Sequence, residues 1–536
     1  MNENNSILIG GNTQKTVRLP LSMANRHGLI AGATGTGKTS GMRLLAEGFS
    51  KAGVPVFLAD MKGDVSGMAL PGEYSSKIEE RLGPCQMTKE DWKGQGFPVR
   101  FWDVFGKKGI PVRATISELG PLMLSSLLDL SDAQQGVLTI LFKAADDKGW
   151  ELIDWKDLKS MISYLKDNRQ ELSDQYGQIS SQSLNALQRS LLELENQGAD
   201  KLFGEPSLNI EDWMTQTDGM GTINILEASE LSENPMLYAM FMLWMLSEVY
   251  ETLPEAGDLD KPKLVFFFDE AHLLFDDAPK ALIDKINQVV RLIRSKGVGI
   301  YFISQAPSDL PDSVLSQLNN RIQFALRAYT PKEQKALKAA AQSFRPNPDF
   351  DTAQAIGALG TGMALVSVLE EKGVPGIVEQ ITIAPVESGF KALSDQQLNL
   401  ISTRDPMMTD YLDEIDRFSA FEALTQQKEQ EQENEEKKPA SKTKTRRVED
   451  NRRDVKETTR STRSAKATAS KRATKQSSGL EKSVKRAANS AARSVGRDIG
   501  RSITRNVLGN SKSAASKAAS NFAGNLLGNI LGDLFK

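Results

Sequence analysis

Residues 32–39 read GATGTGKT, the spacing G-x-x-x-x-G-K-[ST]. Glycines in such a loop let backbone N–H groups close around phosphate oxygens at a helix N-terminus. Lys38 sets a point charge against the β- and γ-phosphates of a nucleoside triphosphate, ATP in the usual case. The Thr39 hydroxyl takes one position on Mg2+. The expected cradle is Gly32, Ala33, Thr34, Gly35, Thr36, Gly37, Lys38, Thr39 and Ser40.

Far downstream, LVFFFDEAH places two carboxylates after a run of large apolar residues. Such a run suits a strand buried on both faces of a parallel sheet, and open α/β sheets bind ligands at carboxyl strand ends. Asp269 is expected to hold Mg2+, and Glu270 to orient and deprotonate an attacking water. The pair points to hydrolysis. GIYFISQAPSDLP is a further strand end. If that strand lies between the other two, Gln305 can reach the γ-phosphate or the water, with Ser304 the weaker candidate. NNRIQFALRAYTP carries Arg321 and Arg327 on opposite ends of another strand. Either is a candidate for an arginine supplied to a neighbouring subunit, with a surface cation or salt bridge as the plainer reading. DMKGD puts Asp60, Lys62 and Asp64 near the nucleotide, where an ordinary polar loop is the favoured reading. His27 and His272 are the only histidines, and they form no metal-binding cluster with the one cysteine, Cys85.

The elements that position these residues follow from pattern. RHGLIAG, a helix with Met42, Leu45, Ala46 and Phe49 on one face, and VPVFLAD form a strand–helix–strand unit, which predicts a parallel α/β sheet. Residues 1–25 suggest a hairpin or strand leading in. The ATPase core is expected over 26–390, with a mostly helical insertion over about 120–255 that contains one strand, GTINILEAS. A helical extension is expected over 391–425. A disordered charged linker over 426–478 and a basic Gly/Ala/Ser-rich, weakly amphipathic tail over 479–536 should follow.

The 536 residues suffice for two or three domains. A single cysteine excludes an intramolecular disulfide and suits a reducing compartment. No signal peptide and no membrane-length apolar run is evident, which gives a cytoplasmic expectation. The net charge of -3 hides a split: from residue 437 on there are 25 Lys and Arg against 7 Asp and Glu. That excess suits a polyanion partner or the chain's own acidic body.

Together NRHGLIAGATGTGKT, VFLADMKGDVSG, FFFDEAHLLF, IRSKGVGIYFISQAPSDLP and NNRIQFALRAYTPKEQKALKAAAQSFR resemble the HerA-like ATPases of the HerA/FtsK superfamily, in the bacterial YjgR-type branch. The resemblance covers most of residues 5–390. It implies a RecA-like P-loop NTPase (ASCE) core, a hexameric homo-oligomer that pumps double-stranded DNA through a central pore, and a sensor role for Gln305. It places the trans arginine after the sensor strand. A nuclease partner is known in the family. Only 31 residues precede Gly32, too few for the family's N-terminal barrel. The letters DEAH do not imply a superfamily-2 helicase, since FISQAPSDLP stands where a Ser-Ala-Thr motif would. Two other readings stand beside DNA translocation: an ATPase that moves protein, and a nucleotide-dependent membrane- or scaffold-bound ATPase using the tail as an interfacial helix.

Overall fold

A computed structural model describes residues 5–276, 279–370 and 372–436. The expectations for the basic tail fall on residues outside these. Fourteen strands are present among the described residues: β1 (Ser6–Gly11), β2 (Thr16–Pro20), β3 (Gly28–Ala31), β4 (Val56–Asp60), β5 (Val99–Asp103), β6 (Ile110–Pro111), β7 (Gln216–Thr217), β8 (Met220–Gly221), β9 (Ile223–Glu227), β10 (Leu264–Phe268), β11 (Val298–Ser304), β12 (Asn320–Gln323), β13 (Met363–Ser367) and β14 (Glu379–Ile383). All but the small β7–β8 hairpin join one sheet, in the order β2-β1-β14-β13-β12-β3-β11-β10-β4-β9-β5-β6. From β6 through β12 every neighbouring pair is parallel. Beyond β12 the pairs are antiparallel, and the β1–β2 hairpin closes that edge.

The register brings the chemistry together. Ala31 of β3 pairs with Ser304 of β11 and with Gln323 of β12. Phe268 of β10 pairs with Phe302 and Ala59. The ends of β3, β4, β10 and β11 therefore finish along one edge. Asp60 closes β4, and Gly32, Asp269 and Gln305 directly follow β3, β10 and β11.

Alternation along β10 explains how both faces are covered. Phe266 and Phe268 face a core shared with the helices Ile116–Leu127, Asp132–Lys148, Trp155–Asp167, Ser181–Asn196 and Pro235–Thr252. Phe57 of β4 stacks there on Trp213 with centroids 4.5 Å apart. Phe267 faces the opposite core, against helix α1 (Lys38–Lys51), where Phe49 lies 6.2 Å from it and 5.9 Å from Tyr301. The apolar helix Pro235–Thr252 is buried almost all round. No helix among the described residues is long and apolar enough to cross a membrane.

Three differences from expectation have local causes. The strand expected through Arg327 stops at Gln323. There the chain turns under the phosphate loop, and Ala325 O accepts from Ala33 N–H at 2.8 Å. Thus Arg321 lies within β12 and Arg327 beyond its end, not at opposite ends of one strand. The final described helix is Ala420–Glu436, past the boundary expected at residue 425. Its first turns bury Ala420 and Leu424 in the core, and the Gln, Glu and Lys that follow are good helix formers that carry it on. The short strands β5 and β6 were not anticipated.

His27 is buried and joins two elements. Its Nε2–H donates to Val290 O at 2.8 Å, and its Nδ1 accepts from Ile300 N–H at 3.0 Å. Both nitrogens are thereby used in the neutral form. Burial, together with nearby Arg294, pushes its pKa down to about 4. A depressed folded pKa means stability that is present above about 6.5 and lost as pH falls toward about 4. The unmutated chain should lose on the order of 2 kcal/mol more stability than His27→Gln between pH 7 and pH 5. Comparing denaturant midpoints of the two proteins at both pH values checks this and cancels the carboxylates common to both.

Candidate functional site

The loop after β3 turns into α1 at Lys38. Gly35 and Gly37 adopt φ of +76° and +124°, conformations that cost most other residues dearly. A Cβ on Gly37 would also meet the Phe324 ring at 3.0 Å. Phe324 thus forms a floor beneath the loop. Thr36 Oγ1 donates to Ala33 O at 2.7 Å, and Thr36 O accepts from Gly362 N–H at 2.9 Å. Lys38 is 7% exposed, and its Nζ donates to Gly32 O at 2.6 Å.

Asp269 and Glu270 stand at the end of β10, and both are buried. Burial pushes the Asp269 carboxyl up to about 6, with the adjacent Glu270 charge adding to the rise and Lys62 opposing it. Glu270 holds φ 46°, a left-handed conformation. Its Oε1 accepts from Lys62 Nζ at 2.5 Å. Its Oε2 is buried without a hydrogen-bond partner among the described residues; His272 Nδ1 lies 3.4 Å away but is not aligned to donate. Burial alone would raise the Glu270 carboxyl. The Lys62 hydrogen bond and charge, with His272 and Lys38, outweigh burial and hold it below its ordinary value. One oxygen is therefore anchored and the other unpaired, in an anionic group.

Lys62 reaches Glu270 because of Asp60. The buried Asp60 carboxylate accepts from the backbone N–H groups of Lys62, Gly63, Asp64 and Val65 at 3.2, 2.8, 3.3 and 3.1 Å. That folds DMKGD into a tight turn and projects Lys62 across to the next strand end. The favoured sequence reading of this stretch as a plain polar loop missed the contact. The available signal was a lysine two residues after an acid at a predicted strand end.

β11 does lie between β3 and β10. Ser304 is buried, donating its hydroxyl to Asp309 Oδ2 at 2.7 Å, and its carbonyl accepts from Gly32 N–H at 3.2 Å. Gln305 is exposed at the same edge. The two arginines differ. Arg321 is half-buried, and its guanidinium donates to Leu318 O, Ser343 O and Leu315 O at 3.0, 3.3 and 3.1 Å. Arg327 is exposed and makes one long bond, 3.3 Å, to Gly357 O.

Thr34, Gly35, Gly37, Lys38, Thr39 and Ser40 line a cleft of about 440 Å3 together with Asp269, Lys62, Asp64, Arg43, Arg81, Thr361 and Phe390. The Thr39 hydroxyl and the Asp269 carboxylate offer Mg2+ hard oxygen ligands. Asp269, a buried acid beside a second acid, is a charge that a cation would compensate, so the residues fit the ion.

A phosphate loop on one central strand, an acid pair two strands away, and a third strand between them define a RecA-like P-loop NTPase core. The chain belongs to the helicase HerA-like C-terminal family, whose description matches residues 5–516. The DNA double-strand break repair helicase HerA of Sulfolobus acidocaldarius is 22% identical over 400 residues, covering 73% of this chain and 70% of the relative. Its counterpart in Saccharolobus solfataricus is 23% identical over 384 residues, covering 67% of this chain and 64% of the relative. Among solved structures, the bacterial conjugative coupling protein TrwB is similar at 14% identity and TM-score 0.48, covering 72% of this chain and 90% of that one.

Proposed function

We propose that this chain is an ATP-hydrolysing motor that acts on double-stranded DNA as a homo-oligomeric ring. The observation that carries the reading is the meeting of Lys38 and Asp269 in one cleft, with Glu270 within electrostatic reach of Lys38, in a chain of the HerA-like family. The names of the curated relatives, helicases of DNA double-strand break repair, support duplex DNA as the polymer.

Within this reading, the backbone of residues 32–40 and Lys38 hold the triphosphate. Thr39 and Asp269 would hold Mg2+, which when bound supplies positive charge to the phosphate oxygens. Glu270 orients a water through its unpaired Oε2 and takes its proton, while Lys62 fixes the other oxygen. Gln305, exposed at the end of the intervening strand, is the sensor. Of the two candidate trans arginines, Arg327 is favoured. Arg321 would have to give up hydrogen bonds to three carbonyls to act elsewhere, whereas Arg327 would give up one.

The test is ATP hydrolysis with and without duplex DNA over a salt series, alongside sizing of the assembly with ATP present. Stimulation that fades as salt rises is expected, because phosphate contacts release counterions. Hydrolysis indifferent to any DNA would reject DNA as the polymer and favour a protein-moving role.

A further inference from the structure

One aromatic ring at the cleft is placed as a tool rather than as packing. Phe390 is 57% exposed, yet it lines the same cleft as Lys38, Thr39 and Ser40. Scattered exposed apolar side chains are ordinary on protein surfaces. What distinguishes Phe390 is the structure holding it.

Three residues beyond Ser40 on α1, the Arg43 guanidinium lies over the Phe390 ring, 4.7 Å from its centroid. Arg43 is 1% exposed and also donates to Ser388 Oγ at 2.8 Å and to Gly389 O. One turn further along α1, the buried Glu47 carboxylate accepts from the N–H groups of Glu387 and Ser388 at 2.8 and 3.1 Å. Gly389 N–H donates to Leu70 O at 2.8 Å, and Leu393 N–H to Ser66 Oγ at 2.9 Å. The chain is thus clamped on both sides of Phe390. Two buried, oppositely charged side chains carry the clamp, and burying such groups is costly. The ring itself is left half in solvent.

Its position along the cleft indicates an occupant. Asp269 and Lys62 mark the end that takes the terminal phosphate. Lys38, Thr39 and Ser40 follow at the start of α1, and Arg43 lies one turn beyond. A nucleotide whose phosphates fill the glycine loop therefore runs its nucleoside end toward Arg43 and Phe390. Arg81 and Thr361 complete the lining of that cleft.

We propose that Phe390 is the platform on which the base of the nucleotide stacks, with Arg43 holding the ring from behind. The inference rests on the reading of the glycine loop as a triphosphate site, and it adds the subsite for the base. Every base has a π-face, so a bare ring gives affinity without choosing among bases.

The experiment measures binding of ATP, GTP and inorganic tripolyphosphate, each with Mg2+, to the full chain and to Phe390→Ala. The platform requires ATP and GTP to weaken alike by about tenfold, which is about 1.4 kcal/mol and within the range for stacking on an aromatic side chain. Tripolyphosphate, having no base, should bind as before. Phe390→Trp should restore nucleotide affinity, and its added fluorescence should change with ATP but not with tripolyphosphate. Unchanged ATP affinity in a folded Phe390→Ala would overturn the proposal. So would equal weakening of ATP and tripolyphosphate, which would make Phe390 a prop for the phosphate loop. If the unsubstituted chain bound neither ligand, the triphosphate reading itself would fall, and the platform with it.

Discussion

Glu270→Gln should bind ATP as the unsubstituted chain does while kcat drops by about 10^2- to 10^4-fold, the usual contribution of a positioned general base. The substitution is well matched to this site. A glutamine oxygen can still accept from Lys62, as Glu270 Oε1 does at 2.5 Å. The left-handed backbone at φ 46° is no harder for Gln than for Glu. What disappears is the negative charge and the ability of the unpaired oxygen to take a proton from water. Binding should survive, because the triphosphate contacts come from the glycine loop and from Lys38 at the start of α1, which follow a different strand. Single-turnover hydrolysis and equilibrium binding of ATP, measured on the same preparation, separate the two effects. Normal turnover in the variant would remove Glu270 from the role of base.

The phosphate loop and the acid pair were legible in sequence because their chemistry dictates their letters. Positive φ at Gly35 and Gly37 and the ring of Phe324 beneath Gly37 leave little choice of residue. Five consecutive buried apolar residues in β10 announce a strand covered on both faces. The position of β11 between β3 and β10 was legible only as a condition, since strand order depends on which crossovers the chain takes. Lys62 was underweighted for a related reason. Its meaning comes from a partner 208 residues away, and no local pattern records that β4 and β10 lie side by side. Phe390 is harder still. Its neighbours in sequence are Ser, Gly and Lys, and its role as a lining residue depends on Arg43 and Glu47 reaching across from α1. The two arginines show the opposite failure. Sequence left Arg321 and Arg327 equal, and only the three carbonyls around Arg321 tell them apart.

Lys38→Ala should weaken ATP by about a hundredfold or more while leaving the fold intact. A charged hydrogen bond contributes roughly 1.5–3 kcal/mol, and two phosphates share this lysine, so the loss of both reaches that size. Lys38 also moderates its surroundings. It lies within electrostatic reach of Glu270 and Asp269, and their negative charge would otherwise repel a triphosphate without local compensation. Lys38 Nζ donates to Gly32 O at 2.6 Å, which holds the ammonium over the loop. Lys38→Arg should not rescue affinity, since a planar five-donor fork does not reproduce a compact point charge within so tight a loop. Thermal midpoints close to that of the unsubstituted chain are expected for Lys38→Ala, because the change also removes a buried charge whose desolvation lowers its own pKa. The two variants have opposite signatures: Glu270→Gln keeps affinity and loses turnover, whereas Lys38→Ala loses affinity first. Undiminished ATP affinity in a folded Lys38→Ala would mean that the glycine loop does not cradle the triphosphate. The direction assigned to the nucleoside end would then lose its anchor as well.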